Sequence, residues 1–313
     1  FDRKAIFNTN QKKIRCQVVK TLSAEGKYKI KPLCRLLGIS SQGYYKHTDK
    51  EEERDVLISS IILYCKFIRN PENLPQSGCR ELMSLCREHF GKKFSIGRDL
   101  FYHVLRANNM MLRKRRYRPR TTDSRHHYHI YPDLLNTVPK LSVTSSGQLM
   151  VADITYVYCK EGFAYLSLIT DAYNRCILGY SMSRTLDTDG PLTALTAAMS
   201  FYQKHSINTK GLIHHSDRGC QYASERYVTF LKENGISISM TQDGDPLHNA
   251  LAERMNNTLK NEWIFNNGVL SFEQAQTAVA RAIEMYNSAR PHQALQMRTP
   301  LHLVKTCHKN PLT

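Results

Sequence analysis

The 313-residue chain carries 44 Lys and Arg against 27 Asp and Glu, a formal net charge of +17, and its length predicts two or three domains with an ample core in at least one. The 41% apolar content and mean hydropathy of −0.46 fit a soluble globular protein; no run of 18 apolar residues and no secretory leader is present, which argues against a membrane span and for the cytoplasm. Nine scattered cysteines without a C-x-x-C pair exclude a disulfide framework and a zinc module and fit a reducing compartment. Phe1 is not an initiator methionine, so the natural N-terminus is expected upstream.

The charge is concentrated. Residues 1–120 hold 27 Lys and Arg against 11 Asp and Glu, and residues 121–313 hold 17 against 16. Such asymmetry is the footprint of a nucleic-acid arm joined to a near-neutral domain; the alternative is a merely soluble basic surface. In chain order, Ile14, Val18, Val19 and Leu22 share one face of a helix over 11–22. The stretch "KIKPLCRLLGISSQGYYKH" (29–47) predicts a short helix, a turn at Gly38 and a second short helix capped by Ser40 or Ser41. That is a helix-turn-helix pattern, shared with many small helical hairpins, and its second helix makes Ser41, Gln42 and Tyr44 candidate DNA contacts. Helices are predicted over 51–68, 78–90 and 95–108, with a Pro-containing loop at 70–77. "RKRRYRPR" follows, in which Arg113, Lys114, Arg115, Arg116, Arg118 and Arg120 cannot pack a core. It reads as a phosphate-contacting strap, with a localisation-type patch or plain linker as alternatives. Residues 121–147 read as an irregular linker; its His126, His127 and His129 have no Cys or carboxylate at ligand spacing and belong to that linker rather than to a metal site.

From residue 148 the pattern changes. "QLMVADITYVYC", "FAYLSLITDAY" and "RCILGYSMS" predict three antiparallel strands. A helix over 188–204, the strand "GLIHHSD", a helix over 224–234, the strand "ISISM" and helices over 249–264 and 271–287 complete the order. Hairpin strands followed by alternating strands and helices describe an α/β fold, a mixed sheet flanked by helices. The predicted organisation is therefore a helix-turn-helix region at 1–50, a second helical DNA-binding region with the basic strap at 51–120, a linker at 121–147 and the α/β core with a C-terminal helix at 148–305.

Three acids stand out in that core. Asp153 lies inside the first strand between apolar neighbours, where a lone carboxylate is costly. Asp217 ends the fourth strand, and Glu253 sits on a helix, with 35 residues between those two. Clustered carboxylates raise one another's pKa, and a hard divalent cation, Mg²⁺ or Mn²⁺, relieves the repulsion. Two such ions can activate an attacking oxygen and stabilise the leaving oxygen of a phosphodiester. Taken singly, Asp217 also reads as a turn acid, and Glu253 as a solvated helix acid paired with Arg254 or Lys260. Lys260 lies two helical turns after Glu253 on about the same face, placed for a DNA phosphate; an exposed lysine is its plainer reading. Asn249, one turn before Glu253, is a further candidate for orienting it or touching DNA.

The motifs "DITYV" (153–157), "GLIHHSDRGCQYAS" (211–224), "NALAERMNNTLKNE" (249–262) and "YNSARPHQAL" with "TP" (286–300) resemble the DDE transposases of bacterial insertion sequences, the B-frame proteins of two-frame elements. "CRLLGISSQGYY" and "SGCRELMSLCREHFGKKFS" resemble that family's helix-turn-helix regions, so the likeness spans nearly the whole chain. The resemblance implies a ribonuclease-H-like core of the retroviral-integrase kind, with Asp153, Asp217 and Glu253 as catalytic triad and holders of two Mg²⁺ or Mn²⁺ ions. Lys260 matches the family's basic residue after the glutamate. It further implies double-stranded DNA substrates, the element's terminal inverted repeats and a target, an oligomer of at least two chains, and a first-frame protein as fusion or partner. Action at the bacterial nucleoid follows from the same likeness. Two departures are local: Leu149 and Met150 stand where the family has tryptophan, and "DGDPLHNALAE" varies the stretch before the glutamate. Two rival readings remain at this point: a DNA-binding regulator without catalysis, and a nuclease of the same fold that cuts without joining.

Overall fold

The computed structural model describes residues 3–26, 28–112, 127–136, 141–241, 250–263 and 269–307. The basic strap and Asn249 lie outside these residues. The chain divides into two compact units, residues 1–65 and 66–313.

In the first unit, α1 (Arg3–Ala24) and α2 (Ile30–Leu36) are followed by a turn at Gly38, whose φ of +65° favours glycine. Ser40 Oγ then accepts from Gly43 N at 3.0 Å and caps α3. The expected pair of helices over 41–68 is instead one helix, α3 (Ser41–Ile68). No Gly or Pro interrupts residues 44–68, and His47 and Glu51 stand 3.6 Å apart one turn apart across the expected break. Cys16, Val19, Leu33, Cys34 and Tyr44 form this unit's small core.

The second unit opens with α4 (Cys79–Phe90) and α5 (Arg98–Ala107). Glu81 starts α4 by accepting from Gly78 N at 3.0 Å. Then come β1 (Leu149–Cys159), β2 (Gly162–Asp171), β3 (Ile177–Ser183), α6 (Asp189–Lys204), β4 (Ile213–Ser216), α7 (Cys220–Ala223), α8 (Glu225–Glu233), β5 (Ser237–Met240), α9 (Ala250–Glu262), α10 (Phe272–Ser288) and α11 (Pro300–Cys307). The sheet order is β3-β2-β1-β4-β5. The first three strands are antiparallel neighbours, and β4 and β5 continue the sheet in parallel with β1. This is the ribonuclease-H-like mixed sheet that the resemblance implied.

The alternation of β1 sorts its residues between two faces. Met150 and Ala152 enter the main core with Leu195, Tyr202, Leu212, Tyr227 and Leu231, each large side chain contributing about 2 kcal/mol by burial. On β3, Gly179 lets α6 close onto the sheet: a Cβ there would stand 2.1 Å from Ala194 O. Leu149 and Val151 point the other way, toward Ala252 of α9. Part of the expected linker is docked on β5, where Leu134 N donates to Ser239 Oγ at 2.9 Å and Met240 N to Pro132 O at 3.3 Å. At the end of β2, Asp171 is fully buried and accepts five hydrogen bonds, from Ser146 Oγ (2.7 Å), Gly147 N (3.0 Å), Tyr173 N (2.8 Å), Asn174 N (3.1 Å) and Tyr202 OH (2.9 Å). No helix among the described residues is long and apolar enough to cross a membrane.

Candidate active site

Asp153 belongs to the β1 face that carries Leu149 and Val151. The parallel ladder joins Leu149 to Ile213 and Val151 to His215. Extended two residues past its last bonded pair, that register sets Asp153 beside Asp217, just beyond the end of β4. Residues side by side in a parallel pair project to the same face. Helix α9 packs on β1, and Glu253, Asn256 and Lys260 recur at three and seven residues along its inner face. Asn256 Nδ2 donates to Asp153 Oδ2 at 2.6 Å, and Lys260 Nζ to Thr155 Oγ1 at 2.7 Å. Two bonds thus pin α9 above the strand that carries the first acid.

The electrostatics follow from this placement. Burial, the charge of Asp217 and that of Glu253 push the Asp153 carboxyl up to about 8, against the bond from Asn256. Burial also raises Glu253, which is exposed on the first turn of α9. Asp217 keeps a turn role as well, since its Oδ1 accepts from Gly219 N at 3.0 Å. Lys260 is 9% exposed; burial lowers its pKa and the charge of Asp153 opposes that. It is therefore not the exposed lysine of the plainer reading. Beneath β4, His214 is buried with Nε2 2.9 Å from Tyr227 OH, and burial with the neighbouring His215 lowers it to about 3. It is neutral at any working pH and belongs to the core.

Asp153 lies within electrostatic reach of both Asp217 and Glu253. Among the described residues, no three His, Cys, Asp or Glu side chains converge on a metal-holding group. The donor set is nonetheless three carboxylates, two of them around one, Asp153, whose charge is strongly disfavoured, which is the chemistry a hard divalent cation relieves. The residues fit such an ion by donor type.

Of the candidate DNA contacts, Gln42 is exposed and Ser41 half-buried on the first turn of α3. Tyr44 is corrected: it is 4% exposed and packs against Cys16, Val19 and Leu33, so its ring fills the core of the first unit. Arg113, Lys114, Arg115, Arg116, Arg118, Arg120 and Asn249 lie outside the described residues. Asn256 and Thr155 were missed by sequence reasoning. The i,i+3 spacing of Asn256 from Glu253 was the available signal.

The integrase core domain family matches residues 143–246, and a second family of that description matches residues 234–300. The chain is 29% identical over 281 residues to a 31 kDa protein of insertion element IS600 from Shigella sonnei, covering 88% of this chain and 99% of that one. It is 33% identical over 170 residues to the transposase of insertion sequence IS904 from Lactococcus lactis, covering 54% and 65%. It is 30% identical over 174 residues to a transposase-like protein of Haemophilus influenzae, covering 56% and 77%.

Proposed function

Given that this chain belongs to the transposases of bacterial insertion sequences, polynucleotidyl transferases with an integrase core, we propose that it cuts DNA at the ends of its element and joins those ends to a target through Asp153, Asp217 and Glu253. The observation that carries this reading is Asp153 itself. It lies on a strand in register with Asp217, beneath the helix of Glu253, and it is driven to about 8 by burial and those two acids.

The three carboxylates would hold Mg²⁺ or Mn²⁺, which when bound would supply charge neutralisation at the attacking and leaving oxygens. Asp153 and Asp217 grip from the sheet and Glu253 from the helix. Asn256 holds the Asp153 carboxylate in place through Oδ2. Lys260, held beside Asp153 through Thr155, presents positive charge to a DNA phosphate. In the first step a water oxygen attacks phosphorus and the element's 3′-oxygen leaves as a hydroxyl; in the second that hydroxyl's oxygen attacks the phosphorus of a target phosphodiester, loses its proton and becomes joined to the target's 5′-phosphate, while the target's own 3′-oxygen leaves as a hydroxyl. The basic arm, including the strap at 113–120, holds the terminal repeats through their phosphates. Joining requires two ends together, so the acting species is a dimer or larger, with the first-frame protein fused or alongside.

The test is a labelled element-end duplex incubated with Mg²⁺ and either wild type or Glu253→Gln. Wild type is expected to release a 3′-hydroxyl end and give joined products. Glu253→Gln should lose both by about a thousandfold, roughly 4 kcal/mol of barrier, with end binding retained. Cleavage by Glu253→Gln at the wild-type rate would remove the triad assignment.

A further inference from the structure

The far end of α9 is held by a second device. Arg290, two residues past α10, grips Glu262 on the last turn of α9 with two bonds, Nε to Oε2 at 2.7 Å and Nη2 to Oε1 at 2.6 Å. The same Nη2 stands 2.9 Å from Glu81 Oε1 on α4. The three side chains are 13%, 12% and 17% exposed. Next to them, Trp263 Nε1 donates to Asn73 O at 2.7 Å and Arg281 Nε to Glu72 O at 2.9 Å. Burial pushes the Glu262 carboxyl up and the bonds from Arg290 work against it, while the guanidinium stays charged.

A buried ion network of this kind is weak evidence for stability, because desolvation offsets the attraction. Its fork geometry, however, admits one orientation. Glu253 and Glu262 ride on one helix about 13 Å apart along the axis, and each residue of slippage would rotate the helix by about 100°. Helix α9 meets the sheet through Asn256 at its middle and Lys260 on its last turn; its C-terminal residue, Glu262, meets α4 through the clamp.

We propose that Arg290 is a positioning residue for the acid cluster: by bridging Glu262 to Glu81 it locks α9 onto α4 and sets the rotation at which Glu253 faces Asp153. This rests on the reading of those acids as the reacting site. It gives the "RPH" stretch a physical task and makes α4 part of the scaffold that aligns the third acid.

Trp263 is the chain's one tryptophan, 4% exposed and adjacent to Glu262, so its emission reports on the clamp. Arg290→Lys keeps the charge and loses the fork. Glu81→Gln touches the α4 side alone, leaves the Arg290–Glu262 pair, and retains the fold if Arg290→Lys does not. Both are expected to shift Trp263 emission to the red. Mn²⁺ binding to the full chain without DNA should weaken about tenfold in Arg290→Lys and about threefold in Glu81→Gln. Joining at saturating DNA should fall in step, with Kd for the element end changed less than about twofold. Folded variants with unchanged emission, or with wild-type Mn²⁺ affinity and joining, would overturn the proposal. If the wild type makes no DNA product while the variants still show the emission and Mn²⁺ shifts, the clamp stands and the reading of function fails.

Discussion

Asp153 and Asp171 are two aspartates of one sheet, on neighbouring strands, and they have opposite surroundings. Asp171 is met by five donors drawn from the loop before β1, the turn after β2 and the helix α6. Asp153 is met by one side-chain donor, Asn256, and by two further acids. A buried carboxylate surrounded by donors organises the chain around itself. A half-buried carboxylate beside two others resists ionising until something from outside supplies positive charge. The difference separates an acid built into the fold from one that fits the proposed reacting site, without reference to any relative.

Substitution should divide the two sharply. Asp153→Asn is expected to lower cleavage by about a thousandfold or more while leaving the melting temperature equal or raised, since it removes repulsion. Asp171→Asn is expected to do the reverse. Replacing an acceptor of five bonds with a group that is half donor should cost roughly 3 kcal/mol, a fall of about 6–12 °C in Tm, with activity per folded molecule near wild type. Thermal melts and single-turnover cleavage on both variants check this; an Asp153→Asn chain that melts as low as Asp171→Asn would dissolve the contrast.

A subtler effect sharpens it. The ordinary value for Asp153 is 3.8 and its folded value about 8. Between roughly pH 4 and 8 the folded chain keeps a proton there that the unfolded chain has lost, so this group's contribution to stability is full below about 4 and disappears as pH rises through 8. In chelator, the Tm of wild type should therefore decline relative to Asp153→Asn across that window. Saturating Mg²⁺ should flatten the decline. Parallel Tm curves for the two chains would show that Asp153 is not perturbed.

Much of this was legible in advance where the signal was local. An apolar run interrupted by Asp153 marked β1, one ended by Asp217 marked β4, and the turn glycine at 38 marked the break after α2. The continuity of α3 was obscured by the acids at 51–53, which imitate a helix start inside it. Tyr44 and Tyr45 are indistinguishable by type, and one position of helical phase buries the first and exposes the second. Asp171, like Asp153, lies on a largely apolar strand, and its distinguishing donors, Ser146 and Tyr202, arrive from distant parts of the chain. Asn256 was legible only by laying out α9 residue by residue. The partners of Arg290 lie on α4 and α9, so its quoted motif named the residue and concealed its task.

The ladder between β1 and β4 bears on how such a chain can change. Asp153 and Asp217 are brought together by strand pairing, so the exposed loops between them are free to lengthen or shorten while that pairing holds. A single-residue slip of β1 against β4 is another matter, since it would turn Asp153 to the opposite face of the sheet. Insertions in the intervening loops should therefore be tolerated in proportion to their exposure, whereas a one-residue deletion inside β1 ahead of Asp153 should silence the protein even if it folds. What is inherited in this half of the site is a parity between two strands, and the count of residues separating them is incidental.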